Sequence, residues 1–143
     1  MVNSDKNELF ERYIKYFKLN ICFLREVQLM IERIESGKTM SRAVVHNGLI
    51  YFSGHVAAGK QATIREQATA LFKRYDELLA QYNSDKDHIL FASVYITDMA
   101  LKEEFNEVWN NWMTEGNTPA RVCVEVGLEA GYLVEMTLIA GVK

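Results

Sequence analysis

Arg121 and Glu135 stand inside the two most strand-like runs near the C-terminus, ARVCVEV and LVEMTLIA, where a buried strand would be apolar. A guanidinium matches a planar carboxylate with two parallel hydrogen bonds, which fixes orientation as well as binding. A glutamate beside the bound group can serve as a general acid/base. Side by side, the two suit a small carboxylate-binding site with an acid/base next to it. The plainer alternative is a cross-strand ion pair, worth about 0.2–1 kcal/mol. Cys123 lies between them in sequence, and a free cysteine at such a position more often packs than attacks.

Alternate residues of a strand share a face. Arg121, Cys123 and Glu125 fall on one side of the first run, with Ala120, Val122, Val124 and Val126 on the other. In the second run Leu133, Glu135 and Thr137 alternate with Val134, Met136 and Leu138. The apolar set of each run is expected to meet the helices. The turn-like GLEAG, residues 127–131, predicts an antiparallel hairpin between the runs. Centred on Leu128, that hairpin sets Arg121 directly opposite Glu135, on one face; a half-residue shift of the turn centre separates them.

The rest of the chain must hold this pair in place. MIERIE begins strand-like patterning at Met30, and Asn47-Gly48 between AVV and LIYF predicts a two-residue hairpin with positive φ at both central positions. HVAAGK reads as a loop. From about Ala62 to Tyr82, Ile64, Ala68, Leu71, Phe72, Tyr75, Leu78 and Leu79 recur at helical spacing, and Asn83-Ser84 ends the run. HILFASVYIT is apolar on both parities, as in a strand covered on both faces. Asp98 is placed to cap a second helix reaching about Met113, with Leu101, Phe105, Val108, Trp109 and Trp112 as its stripe. The order β-β-β-α-β-α-β-β predicts an α+β domain, a mixed sheet with two helices on one face. The uncovered face predicts a homo-oligomer.

With 143 residues, one domain is expected, large enough to bury a core without disulfides or metals. The net charge of -3 and the lack of a dense Lys/Arg block argue against nucleic acid as a partner. Cys22 and Cys123 form no CxxC, and His46, His55 and His88 lack metal-ligand spacing. Free thiols, no structural zinc and a reducing, cytoplasmic location are the expectation. Residues 1–29 read as an N-terminal extension with Leu9, Phe10, Tyr13, Ile14 and Phe17 on one helical stripe, and Met30 as the start of the main domain. Lys15, Lys18 and Arg25 leave that stretch too short and too charged to span a bilayer, and its acidic front argues against a secretory signal.

TPARVCVEV and the later LVEMTLIA, together with LIYFSGHVA and FNEVW, strongly resemble in that order the RidA/YjgF family of reactive-intermediate deaminases. The likeness covers Met30 to Lys143. It implies a chorismate-mutase-like fold and a homotrimer with sites at subunit boundaries. Also implied is hydrolysis of enamines and imines such as 2-aminoacrylate to 2-ketoacids and ammonia, without metal or organic cofactor. By the same resemblance Arg121 holds the substrate carboxylate, Cys123 faces it with its backbone, and Glu135 positions or activates water. Ser53 and Gly54 would line the pocket and Asn106 lie near it, although an Asn on a helix also bonds readily to nearby backbone. His55 stands where glutamine is common, as a pocket wall or as a satisfied loop histidine. Where the best-known members carry a tyrosine before the first long strand, this chain has MSRAV, with Ser41 or Arg42 near that place. A trimer that binds imines or ketoacids without turnover is the alternative. A ribonuclease is the weakest reading, given the charge.

Overall fold

The computed structural model describes residues 11–19, 30–60 and 63–143. The chain divides into two units, between Ile31 and Glu32. In the first, residues 11–19 form a helix (α1) on which Tyr13 and Phe17 stack, ring centroids 6.4 Å apart, and stay exposed. Leu9, Phe10 and Cys22, named above, lie outside the described residues.

In the second unit, β1 (Glu32–Ile34) pairs with β2 (Ala43–His46), which turns back into β3 (Leu49–Phe52). Asn47 and Gly48 take φ of 53° and 70°, the left-handed pair the sequence predicts. His55–Val56, expected as loop, instead forms a short strand, β4, against β7 (Val134–Gly141). Helix α2 (Ile64–Gln81) follows a reciprocal capping box between Thr63 and Glu66, then β5 (Ile89–Ile96). Asp98 Oδ1 accepts from Ala100 N and caps a short 3₁₀ turn that leads into α3 (Lys102–Trp112). β6 (Ala120–Glu125) and β7 close the chain. The seven strands make one mixed sheet in the order β1-β2-β3-β7-β5-β6, with β4 also on β7. Among the described residues no helix is long and apolar enough to cross a membrane.

The two helices cover one face, and the predicted stripes are what they bury. Ile64, Ala68, Leu71, Phe72, Tyr75, Leu78 and Leu79 of α2 are all in the core, with Phe105, Trp109 and Trp112 of α3. Phe72 and Trp112 stack face to face at 4.4 Å, tying the helices together. Beneath them lie Ala92, Val94 and Ile96 of β5 and Val134, Met136 and Leu138 of β7, all buried. Buried Gln67 breaks the apolar pattern for a reason: its Oε1 accepts from Leu133 N and its Nε2 donates to Gly131 O, fixing the approach to β7. On the opposite face Tyr51, Phe91, Val122 and Val124 remain 37–41% exposed. Among the described residues of this unit, β5 is therefore covered on one side only.

The end of the sheet carries a pH-sensitive clasp. Asp85 takes hydrogen bonds from His88 Nδ1 at 2.7 Å and from the terminal Lys143 side chain at 2.5 Å. First His88 and then Lys143 hold its carboxyl well below the usual carboxylate range. A depressed folded-state pKa gives stability above the unfolded value of 3.8 that is lost as pH falls through the folded value. At 39% exposure the pair is screened, so the effect is modest. Asp85→Asn should flatten the acid limb of a Tm-versus-pH curve below about pH 4 and lower Tm slightly at pH 7. An unchanged acid limb would exclude Asp85 from acid stability.

Candidate active site

The expected β6–β7 hairpin does not form. β5 lies between the two strands, parallel to β6 and antiparallel to β7. Residues 126–133 carry the chain across the end of β5, held there by Val126 N to Ile96 O at 2.9 Å and Thr97 N to Leu133 O at 3.1 Å. Register then decides the faces. Arg121 aligns with Ala92, and Ala92 with Leu138; Glu135 aligns with Tyr95, and Tyr95 with Val124. Arg121 is therefore on the helix-covered face and Glu135 on the open one. The predicted shared face is corrected, and so is the prediction that Val122 and Val124 meet the helices. The cause is the strand inserted between them, which sets the parity of β6 by its pairing with β5.

Arg121 sits at the start of an edge strand, on the side where α3 crosses. Its guanidinium lies 4.8 Å over the Trp109 ring and 5.9 Å from that of Phe105, a stacked cation over aromatic faces. Nη2 donates to Asn106 Oδ1 at 2.8 Å, so Asn106 orients the arginine. Nη1 is buried and has no hydrogen-bond partner among the described residues. Leaving such a donor unmet costs about 1–3 kcal/mol, which an anionic acceptor would recover. Cys123 points the same way and packs against the core, as expected of a packing thiol. Among the described residues the outer edge of β6 has no strand partner, so backbone groups there are open to another molecule.

Glu135 belongs to a second cluster, built on an irregularity. Tyr51 aligns with Ile139 and His55 with Met136, so four steps of one strand match three of the other. The extra residue is a bulge at Ser53-Gly54, a device that re-aims side chains next to active sites. Because of it Phe52 and His55 both enter the core. A Cβ on Gly54 would collide with Glu135 Oε1 and lie 2.9 Å from its Cδ, so the carboxyl rests directly on the glycine. The Glu135 carboxylate forms no hydrogen bond or ion pair among the described residues. Ser53 is fixed by two bonds to Arg42 O, from N and from Oγ, both 3.0 Å.

His55 resolves as a buttress. Its ring packs between Phe52 and Tyr75, centroids 6.3 and 5.4 Å away, and Nδ1 lies 2.8 Å from Ser53 O. A carbonyl can only accept, so the proton is on Nδ1. Burial pushes the imidazole below its ordinary pKa, against the bond to Ser53, with Arg74 and Arg42 adding to the depression. A neutral histidine thus holds the bulge that seats Glu135. Gly54→Ala should displace the carboxyl while leaving the fold intact, lowering turnover about 10- to 100-fold, since small misplacements of a reacting group are costly. Steady-state kinetics with a thermal melt checks this, and unchanged kcat would mean that the contact does not place Glu135.

One piece of this site carried no sequence signal, and the role of another was not readable from residue pattern. Arg74, an ordinary helix-surface arginine by pattern, donates from Nη1 to Val56 O at 3.2 Å. Asn106 was legible only through the resemblance, and its bond to Arg121 required coordinates.

The family model described as Endoribonuclease L-PSP matches residues 30–142. A RutC family protein of Haemophilus ducreyi is 32% identical over 115 residues, which span 80% of this chain and 98% of that one. The RutC family protein YoaB of Escherichia coli is 30% identical over 80% of this chain and all of its own length. Among solved structures, a YjgF protein family member from Neisseria meningitidis superposes with a TM-score of 0.77 at 37% identity, covering 81% and 98% of the two chains. A protein of the Rid family, YyfA of Yersinia pestis, gives 0.69 at 30% identity, covering 75% and 90%. With matching motifs, topology and near-complete coverage of these relatives, the chain belongs to the RidA/YjgF family, described also as Endoribonuclease L-PSP.

Proposed function

We propose that the protein hydrolyses reactive 2-imino acids to 2-ketoacids and ammonia, in a homotrimer whose clefts join Arg121 of one protomer to Glu135 of another. The observation that carries this reading is that each group is incomplete in one chain. Among the described residues Arg121 presents a buried N–H without an acceptor, and Glu135 a carboxylate without a donor, on opposite faces of the sheet. No rearrangement within the chain brings them together without breaking the register. An edge strand of one copy docking on the open face of another would. That face offers Tyr51, Phe91, Val122 and Val124, an exposed apolar surface suited to a second copy.

The chemistry follows from the groups. The substrate carboxylate is held by the guanidinium that Asn106 orients, which fixes the C=N carbon relative to the β7 carboxylate. Glu135 accepts a proton from water as oxygen attacks that carbon. It returns that proton to nitrogen to give the neutral amino-hydroxyl adduct, then relays the adduct's hydroxyl proton to nitrogen as the C–N bond breaks, so ammonia leaves and the carbonyl forms. Proton transfer and positioning suffice, and no redox step occurs. RNA cleavage, suggested by one family description, fits less well with a net charge of -3.

Release of ammonia and pyruvate from freshly generated 2-aminoacrylate tests the reading. Acceleration over the spontaneous rate is expected, and Arg121→Lys should lower kcat/KM about 10- to 100-fold, because lysine keeps charge but loses the fork. Binding of pyruvate without acceleration would leave a sensing trimer. Near-normal kcat/KM in the lysine variant would remove the bidentate anchor.

A further inference from the structure

A cavity of about 330 Å³ opens beside Ser53-Gly54, with Arg42 on one wall and Arg74 on another. Gly54 lines this cavity and also carries the Glu135 carboxyl, so one residue is common to the cavity and to the seat of the proposed water-activating group. Both arginines are fixed by the backbone around the bulge. Arg42 is anchored where Ser53 N and Oγ converge on its carbonyl, and Arg74 reaches from α2 to Val56 O. Glu35 pairs with Arg42 Nε at 2.8 Å, which occupies one edge of that guanidinium. No other hydrogen bond or ion pair engages either guanidinium among the described residues.

Among the residues that line the cavity, two arginines stand against one glutamate, Glu35, and leave one positive charge in excess, since burial holds the His55 imidazole below its ordinary pKa and Glu135 is not part of the lining. We infer that the Arg42–Arg74 cavity receives a second carboxylate, making 2-imino dicarboxylates, the imines of acidic amino acids, the preferred substrate class. This inference rests on the proposed imine hydrolysis for its reaction, though not for its binding site. The excess charge of one matches a single carboxylate and not a phosphate dianion. The planar forks match it in shape as well. Arg121 holds the α-carboxylate from the other protomer, Glu135 stands by the C=N carbon, and the side-chain acid points into the cavity. A substrate with an apolar side chain would leave the two guanidinium groups without a counter-charge.

Imines generated in situ by amino-acid oxidases, one from alanine and one from aspartate, separate the possibilities on the full-length protein. The aspartate-derived imine should have the higher kcat/KM. In Arg42→Gln the ratio of the two values should fall about 10- to 100-fold, as for a lost charge-assisted hydrogen bond. Calorimetric titration with oxaloacetate and with pyruvate reads the cavity independently of turnover, and Arg42→Gln should selectively weaken oxaloacetate. Hydrolysis of both imines with an unchanged ratio in the variant overturns the cavity assignment and leaves the hydrolase. Arg42-dependent preference for oxaloacetate without hydrolysis of either imine upholds the cavity and overturns the hydrolase. Equal affinity for the two ketoacids, unaffected by the substitution, overturns the assignment outright.

Discussion

Glu135→Gln is expected to slow imine hydrolysis by about 10²–10⁴-fold, the range a general acid/base contributes. The amide keeps the size and shape of the side chain, so its seat on Gly54 is retained. What it loses is the ability to accept a proton from water. Because the carboxylate forms no ion pair or hydrogen bond among the described residues, removing its charge strands no partner. Its cost in stability should be within about 0.5 kcal/mol. Loss should therefore appear in kcat, with little change in the affinity for pyruvate or in Tm. Stopped-flow measurement of ammonia release beside a thermal melt gives both. A kcat equal to wild type would leave Glu135 without a chemical role, whatever the fate of Arg121.

The elements of the fold were plain in the sequence, and their neighbours were not. Helical stripes ending at Asn83 and opening after Asp98 follow from local periodicity, and the Asn47-Gly48 turn from backbone sterics. Strand β7 also obeys its pattern, with Val134, Met136 and Leu138 buried. β6 does not, because parity states which residues share a face and never which face is covered. Two β-rich runs around GLEAG read as a hairpin, and nothing local shows that β5, almost thirty residues upstream, lies between them. The bulge at Ser53-Gly54 is equally silent, since an extra residue is defined only against the strand it fails to match. The residues of the site were thus identified by type and motif. Their division between two faces came from long-range pairing alone.

That division makes a sharper test available than any single substitution. Arg121→Ala and Glu135→Gln should each be nearly inactive alone, but mixing them through reversible unfolding should restore activity. In the proposed cyclic trimer each cleft takes one arginine and one glutamate from neighbouring copies. A protomer lacking Arg121 still has Glu135, and its neighbour lacking Glu135 still has Arg121, so the cleft between them in one orientation is intact. Random equal mixing puts about a quarter of clefts in that state, so about a quarter of wild-type activity is expected. A site within one chain allows no such recovery, because every copy carries one defect. Neither does a defect in folding, which would follow each variant into the mixture. Recovery that depends on subunit exchange, with none when preformed variants are combined without unfolding, would place the two groups across a boundary. Absence of recovery in verified mixed trimers would return both residues to separate structural roles, Arg121 stacked on Trp109 and donating to Asn106, and Glu135 as a carboxylate resting on Gly54.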